Sequence, residues 1–90
     1  MDNIWLLADT VLLTFVAPEA VLLNTSTGDR YVLNPLGTAI CTSCQIGSTI
    51  AQLVAEISSH FPQSIDLVTQ DVADFVRQLQ AEGLIIPKLN

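Results

Sequence analysis

The apolar residues of this chain change rhythm once, at Asn34-Pro35, and that change constrains the fold more than any other feature. Before it they come in short runs. Val11 to Val16 is apolar and rich in β-branched residues, and Pro18 stops it; Ala20 to Asn24 and Arg30 to Leu33 follow, separated by Thr25-Ser26-Thr27-Gly28-Asp29. β-Branched residues suit a pleated, half-buried surface, proline interrupts a strand, and a polar spacer with a glycine between two such runs signals a hairpin loop. The expectation is three short antiparallel strands.

Beyond Asn34-Pro35 the spacing is helical. Asn34 is a suitable N-cap and Pro35 a suitable first helical residue, because the N–H that proline lacks is unpaired there anyway. Leu36, Ile40 and Cys44 share a face, so a first helix runs to about Gln45 and Gly47 breaks it. Thr49 with Gln52 fits a capping box. Ile50, Leu53, Val54, Ile57 and Phe61 continue at helical spacing to a second helix end near His60, just before Pro62. A third helix is expected from about Thr69, with Asp71 in its first turn, where a carboxylate meets the positive end of the helix dipole. Its stripe is Val72, Phe75, Val76 and Leu79; Gly83 suits a left-handed C-cap, and Leu84-Ile85-Ile86 leaves as an extended tail ended by Pro87. Each apolar stripe is one face wide, so sheet and helices must cover one another. That reading is an α+β, winged helix-turn-helix-like fold, a three-stranded antiparallel sheet followed by three helices, in a single domain over residues 1–90.

Charge narrows the partners. The 90 residues carry a net charge of −6, with only Arg30, Arg77 and Lys88 positive. Nucleic-acid affinity comes largely from Lys and Arg neutralising phosphates, and three scattered cations do not build that footprint. The same acidity disfavours an anionic membrane surface. The richest apolar stretch, Ile4 to Leu23, is interrupted by Asp9, Pro18 and Glu19 and makes a poor membrane span. The start has Asp2 and no cation before Arg30, unlike a signal peptide. The expectation is a cytoplasmic protein, monomer or weak dimer, that binds a protein or peptide.

Catalytic and metal motifs are thin. Cys41 and Cys44 form a C-x-x-C, the spacing of redox dithiols and of half a zinc site. No cationic residue lies nearby in sequence to depress a thiol pKa, and His60, the single histidine, does not complete a four-ligand zinc set. The two cysteines read as small buried hydrophobes. His60 reads as a helix-end surface residue, and Asp66, Asp71, Asp74 and Glu82 as solvated acids without a paired-carboxylate arrangement. No phosphate-cradling glycine loop is present. No enzyme activity and no cofactor are expected. Asp29 to Asn34 is more informative: an edge strand without lysine offers unpaired N–H and C=O groups to another strand. Alternation sets Tyr31 and Leu33 on one face, with Arg30, Val32 and Asn34 on the other.

In order and spacing, these residues resemble the PqqD-like family, the peptide chaperones also called RiPP recognition elements. The matching pattern is the hairpin Ala20-Val21-Leu22-Leu23 to Gly28-Asp29-Arg30-Tyr31, then Val32-Leu33-Asn34-Pro35-Leu36-Gly37. It continues through Gly47-Ser48-Thr49, Asp71-Val72 and Leu79 to Gly83-Leu84. Within the family, the "AVLLN…GDRYVLNPLG" segment looks most like the stand-alone recognition proteins of lasso peptide pathways. The chain departs from the pattern where Cys41-Thr42-Ser43-Cys44 replaces a bulky residue, and where no acid precedes Gly47. The resemblance implies a leader peptide bound as an added strand between the third strand and the third helix. It implies binding residues Arg30, Tyr31, Val32, Leu33 and Asn34 on the strand. Periodicity assigns the helix side to Ala73, Val76, Arg77 and Gln80, with Val76 flooring a pocket and Arg77 pairing with the leader. The implied partners are a leader peptidase and an ATP-dependent cyclase; a chaperone role in pyrroloquinoline quinone biosynthesis and a winged-helix DNA-binding role are the alternatives.

Overall fold

The computed structural model describes residues 3–16, 19–61 and 64–88. Pro18 and Pro62, read above as a strand stop and a helix stop, lie outside the described residues. The elements follow in the order β1 (Trp5–Leu7), β2 (Val11–Val16), β3 (Glu19–Asn24), β4 (Arg30–Leu33), α1 (Pro35–Ile46), α2 (Ile50–His60), α3 (Ile65–Ala81) and β5 (Ile85–Pro87). Strands β2, β3 and β4 form a three-stranded antiparallel sheet in that spatial order, and three helices follow it. The α+β class and the sheet-then-helices order are as the sequence reading has them.

Local chemistry explains where the helices start. Asn34 Oδ1 accepts a hydrogen bond from the Gly37 N–H at 2.7 Å, which opens α1. Thr49 and Gln52 exchange both bonds of a capping box, at 3.1 and 2.9 Å, which opens α2. Ser64 Oγ accepts from the Leu67 N–H at 3.3 Å, which opens α3. This last start corrects the expectation, since α3 begins a full turn before Thr69 and its first-turn acid is Asp66 rather than Asp71. The end of α3 is a Schellman motif: Leu84 N–H donates to Leu79 O at 2.9 Å and Gly83 N–H to Gln80 O at 3.0 Å. Gly83 sits at φ +72°, a conformation a side chain would resist.

A second correction concerns the ends of the described chain. The tail after Gly83 is β5, and it pairs antiparallel with β1, Trp5 opposite Pro87 and Leu7 opposite Ile85. The sequence reading had no strand at residues 5–7. Trp5 also exchanges backbone hydrogen bonds with Ser48, at 2.8 and 3.1 Å, so this ribbon is tied to the α1–α2 junction.

One core fills the space between sheet and helices. Ala20, Leu22 and Leu33 enter it from the sheet, Ile40, Cys41 and Cys44 from α1, and Leu53 and Ile57 from α2. Helix α3 contributes Val68, Val72, Val76 and Leu79, and Leu84 and Ile85 close it. The two cysteines of α1 are both fully buried in this core.

Candidate functional site

Strand β4 is the end strand of its sheet, paired to β3 alone among the described residues. In an antiparallel pair, alternate N–H and C=O groups of an end strand point away from the sheet. Helix α3 flanks β4. Between the two elements runs a cleft of about 360 Å³. From β4 it is lined by Tyr31 and Leu33, with Val32 at the rim; from α3 it is lined by Phe75, Gln78, Leu79 and Glu82. Leu33 and Leu79 are buried, Tyr31 and Phe75 are half-buried, and Val32 is exposed at 65 %.

The two walls run in opposite directions. A Cβ on Gly37 would lie 2.7 Å from Phe75 Cζ, so the ring is seated against α1 at the Leu33 end. At the other end, the Tyr31 hydroxyl donates to Glu82 Oε2 at 3.2 Å, joining β4 to the C-cap of α3. Desolvation, then the hydrogen bond and charge of Glu82, and finally the charge of Asp29 raise the Tyr31 phenol above its ordinary value. The hydroxyl therefore remains a donor at neutral pH.

The predicted site residues separate into two groups. Tyr31, Val32 and Leu33 meet at the cleft. Arg30 is exposed and, by alternation, points to the other face of the sheet. Asn34 Oδ1 is occupied in capping α1 and its backbone carbonyl accepts from the Thr38 N–H and hydroxyl, which leaves its side-chain NH2 and its backbone N–H for a partner. The flank expected on α3 does not line the cleft. Val76 is in the core at 2 % exposure and does not line this cleft. Arg77 is turned outward and pairs with Asp74 at 3.0 Å. Ala73 is half-buried and Gln80 is exposed away from the lining. Phe75, expected in the core, packs against it and also lines the cleft. The cause is the phase of α3: its buried line is Val68, Val72, Val76 and Leu79, which turns Phe75 and Glu82 to the β4 side.

The sequence model of the family described as "Coenzyme PQQ synthesis protein D (PqqD)" matches residues 19–85. This chain belongs to the PqqD family. The matched stretch runs from the first residue of β3 to the first residue of β5, and so contains both walls of the cleft. Two solved structures share the fold. One is titled "TbiB1 in Complex with the TbiA(beta) Leader Peptide", with a TM-score of 0.84 and 25 % identity, covering 94 % of this chain and 99 % of that one. The other is "Lasso peptide synthetase B1 complexed with the leader peptide", with a TM-score of 0.82 and 20 % identity, covering 92 % and 98 %. No curated protein sequence matches the chain.

The remaining polar and thiol groups of this PqqD-family chain lie away from the cleft. Burial pushes the Cys41 thiol up to about 12, with Cys44 beside it, and burial pushes Cys44 up to about 11. Thiolate is the reactive form, and burial holds both cysteines as protonated thiols at neutral pH. No group of three metal-ligating side chains occurs among the described residues. His60 Nδ1 lies 2.9 Å from Glu56 O on the exposed end of α2, as a helix-end residue does. A larger hollow of about 620 Å³ lies between α1 and α2, lined by residues such as Thr38, Thr42, Glu56 and His60. It borders no strand edge. No described helix is long and apolar enough to cross a membrane.

Proposed function

We propose that this protein is a non-catalytic, cytoplasmic recognition protein of lasso peptide biosynthesis that captures the leader region of a ribosomally made precursor peptide. The leader adds as a fourth strand on β4, in the cleft against α3. Backbone hydrogen bonds to the open β4 edge supply affinity that tolerates sequence changes, and the apolar cleft reads alternate side chains. The observation that carries the reading is the unpaired edge of Arg30–Leu33 directly beside the cleft formed with Phe75 and Leu79. The two structural neighbours, each titled as a complex with a leader peptide, support it.

The binding set is Tyr31, Val32 and Leu33, with the backbone of Arg30 and the N–H groups of Asn34. On α3 it is Phe75, Gln78, Leu79 and Glu82, in place of Ala73, Val76, Arg77 and Gln80. The protein then presents the core peptide to a leader peptidase and an ATP-dependent cyclase. It raises their effective substrate concentration without chemistry of its own and needs no cofactor. A winged-helix DNA-binding role finds little support, because the single cation of α3 is Arg77, already paired with Asp74.

The test is a titration of the isotopically labelled protein with the leader of a short precursor encoded beside its gene, followed by amide shifts. Shifts concentrated in 30–34 and 75–82 are expected. Shifts confined to the α1–α2 hollow, or none at saturating peptide, would overturn the assignment.

A further inference from the structure

The cleft is chemically different at its two ends. At one end Leu33 and the Phe75 ring, seated against Gly37, offer only carbon. At the other, Glu82 is the single charged residue of the lining. The Tyr31 hydroxyl donates to Glu82 Oε2 at 3.2 Å, a long bond at the exposed end of the cleft that draws the carboxylate toward β4. Its second oxygen, Oε1, takes no hydrogen bond from the described residues. No cation lines the cleft to neutralise it: Arg77 is turned outward onto Asp74, and Arg30 lies on the opposite face of the sheet. The other charge that acts on Tyr31, Asp29, is also negative.

We infer that the cleft selects a peptide carrying an apolar residue at its Leu33–Phe75 end and a lysine or arginine at its Tyr31–Glu82 end, two positions apart. The spacing follows from strand geometry. Tyr31 and Leu33 face the same side, and residues i and i+2 of an added strand, about 7 Å apart, face that side as well. If the peptide runs antiparallel to β4, it meets Leu33 first, so the apolar residue precedes the basic one. The reading rests on the strand-addition site proposed above. It adds a specificity determinant to it: a carboxylate positioned by a phenol, which favours a charge-assisted donor and disfavours an acid at that one position. The asymmetry also fixes register, because a peptide slipped by one residue turns both side chains away from the cleft.

The probe is a displayed library of randomised nine-residue peptides selected on the full-length protein, with amide shifts of the labelled protein to locate each enriched peptide. The same selection is run on Glu82→Gln, Glu82→Lys and Asp66→Lys. Asp66 stands in the first turn of α3, about 24 Å from Glu82 along the helix. Its variant carries the same change of net charge as Glu82→Lys, away from the cleft. The wild type is expected to enrich the apolar–x–basic pattern, and Asp66→Lys to keep it. Glu82→Gln should lose the basic preference and bind a wild-type-selected peptide about fivefold more weakly. Glu82→Lys should enrich Asp or Glu at that position. Peptides that shift 30–34 but show no charge preference, or the same preference with Glu82→Lys, would overturn this inference and leave the strand-addition site standing. Enriched peptides that shift only residues outside β4 and α3 would overturn both.

Discussion

At the scale of single residues, this protein is legible where one side chain satisfies one backbone group. Asn34-Pro35 and Thr49 with Gln52 announce the starts of α1 and α2 in the sequence, and the hydrogen bonds are present in the structure. Gly37 is less legible. It sits inside α1, where alanine is ordinarily favoured by up to about 1 kcal/mol. Its reason is Phe75, whose Cζ would lie 2.7 Å from an added Cβ, with Asn34 Oδ1 at 3.3 Å. The phenyl ring could move only by leaving its seat in the cleft, and the oxygen only by loosening the cap. Gly37→Ala is therefore expected to lower stability by about 1–2 kcal/mol despite the propensity gain, as overpacking does. Chemical denaturation of the two proteins measures it, and an alanine variant as stable as the parent would contradict the close packing.

At the scale of elements, the failure on α3 has a definite origin. Ile65 and Leu67 are exposed apolar residues at its start, with no polar face to mark them, and Ser64 is a lone cap without a glutamate three residues on. Starting the helix at Thr69 omits Val68. Without Val68, the residues Val72, Phe75, Val76 and Leu79 centre on a line in which Phe75 belongs to the core. With it, Val68, Val72 and Val76 form an i, i+4, i+8 series that continues to Leu79, and Phe75 moves to the flank. The turn before Thr69 thus sets the phase of α3 and which of its residues border the cleft, whereas β4 lies where the Thr25–Asp29 loop signals it. The two neighbours Phe75 and Val76 separate folding from binding. Val76→Ala is expected to cost about 2 kcal/mol of stability through the methyl groups and cavity lost, with affinity of the folded protein for a leader peptide within about twofold of the parent. Phe75→Ala removes a half-buried aromatic from the cleft and should weaken that peptide about tenfold or more. Denaturation together with fluorescence titration distinguishes them; equal losses of affinity in both variants would count against the observed phase of α3.

At the scale of the whole molecule, the site depends on parts of the chain that lie outside the family match. The matched region opens with β3, yet β1 and β2 precede it. Strand β2 holds the far side of the sheet whose open side is β4. Strand β1 holds β5, and β5 follows directly on the Schellman turn that ends α3 beside Glu82. The position of the carboxylate end of the cleft is thus set by a ribbon made from residues 5–7 and 85–87, far apart in sequence. Three residues carry too little periodicity to mark this ribbon in the sequence, and their partner is the distant tail. Its anchor is Trp5, 7 % exposed, bonded through its backbone to Ser48 and packed into the core. Truncating a buried tryptophan costs about 3–5 kcal/mol, a large part of the roughly 5–15 kcal/mol that holds a domain folded. Trp5→Ala is expected to lower the melting temperature by at least about 12 °C, at 4–8 °C per kcal/mol for a chain of this size. Thermal unfolding followed by far-ultraviolet circular dichroism tests this. A loss of only a few degrees would mean that β1 is a dispensable edge, and that α3 is held in register with β4 by the matched region alone.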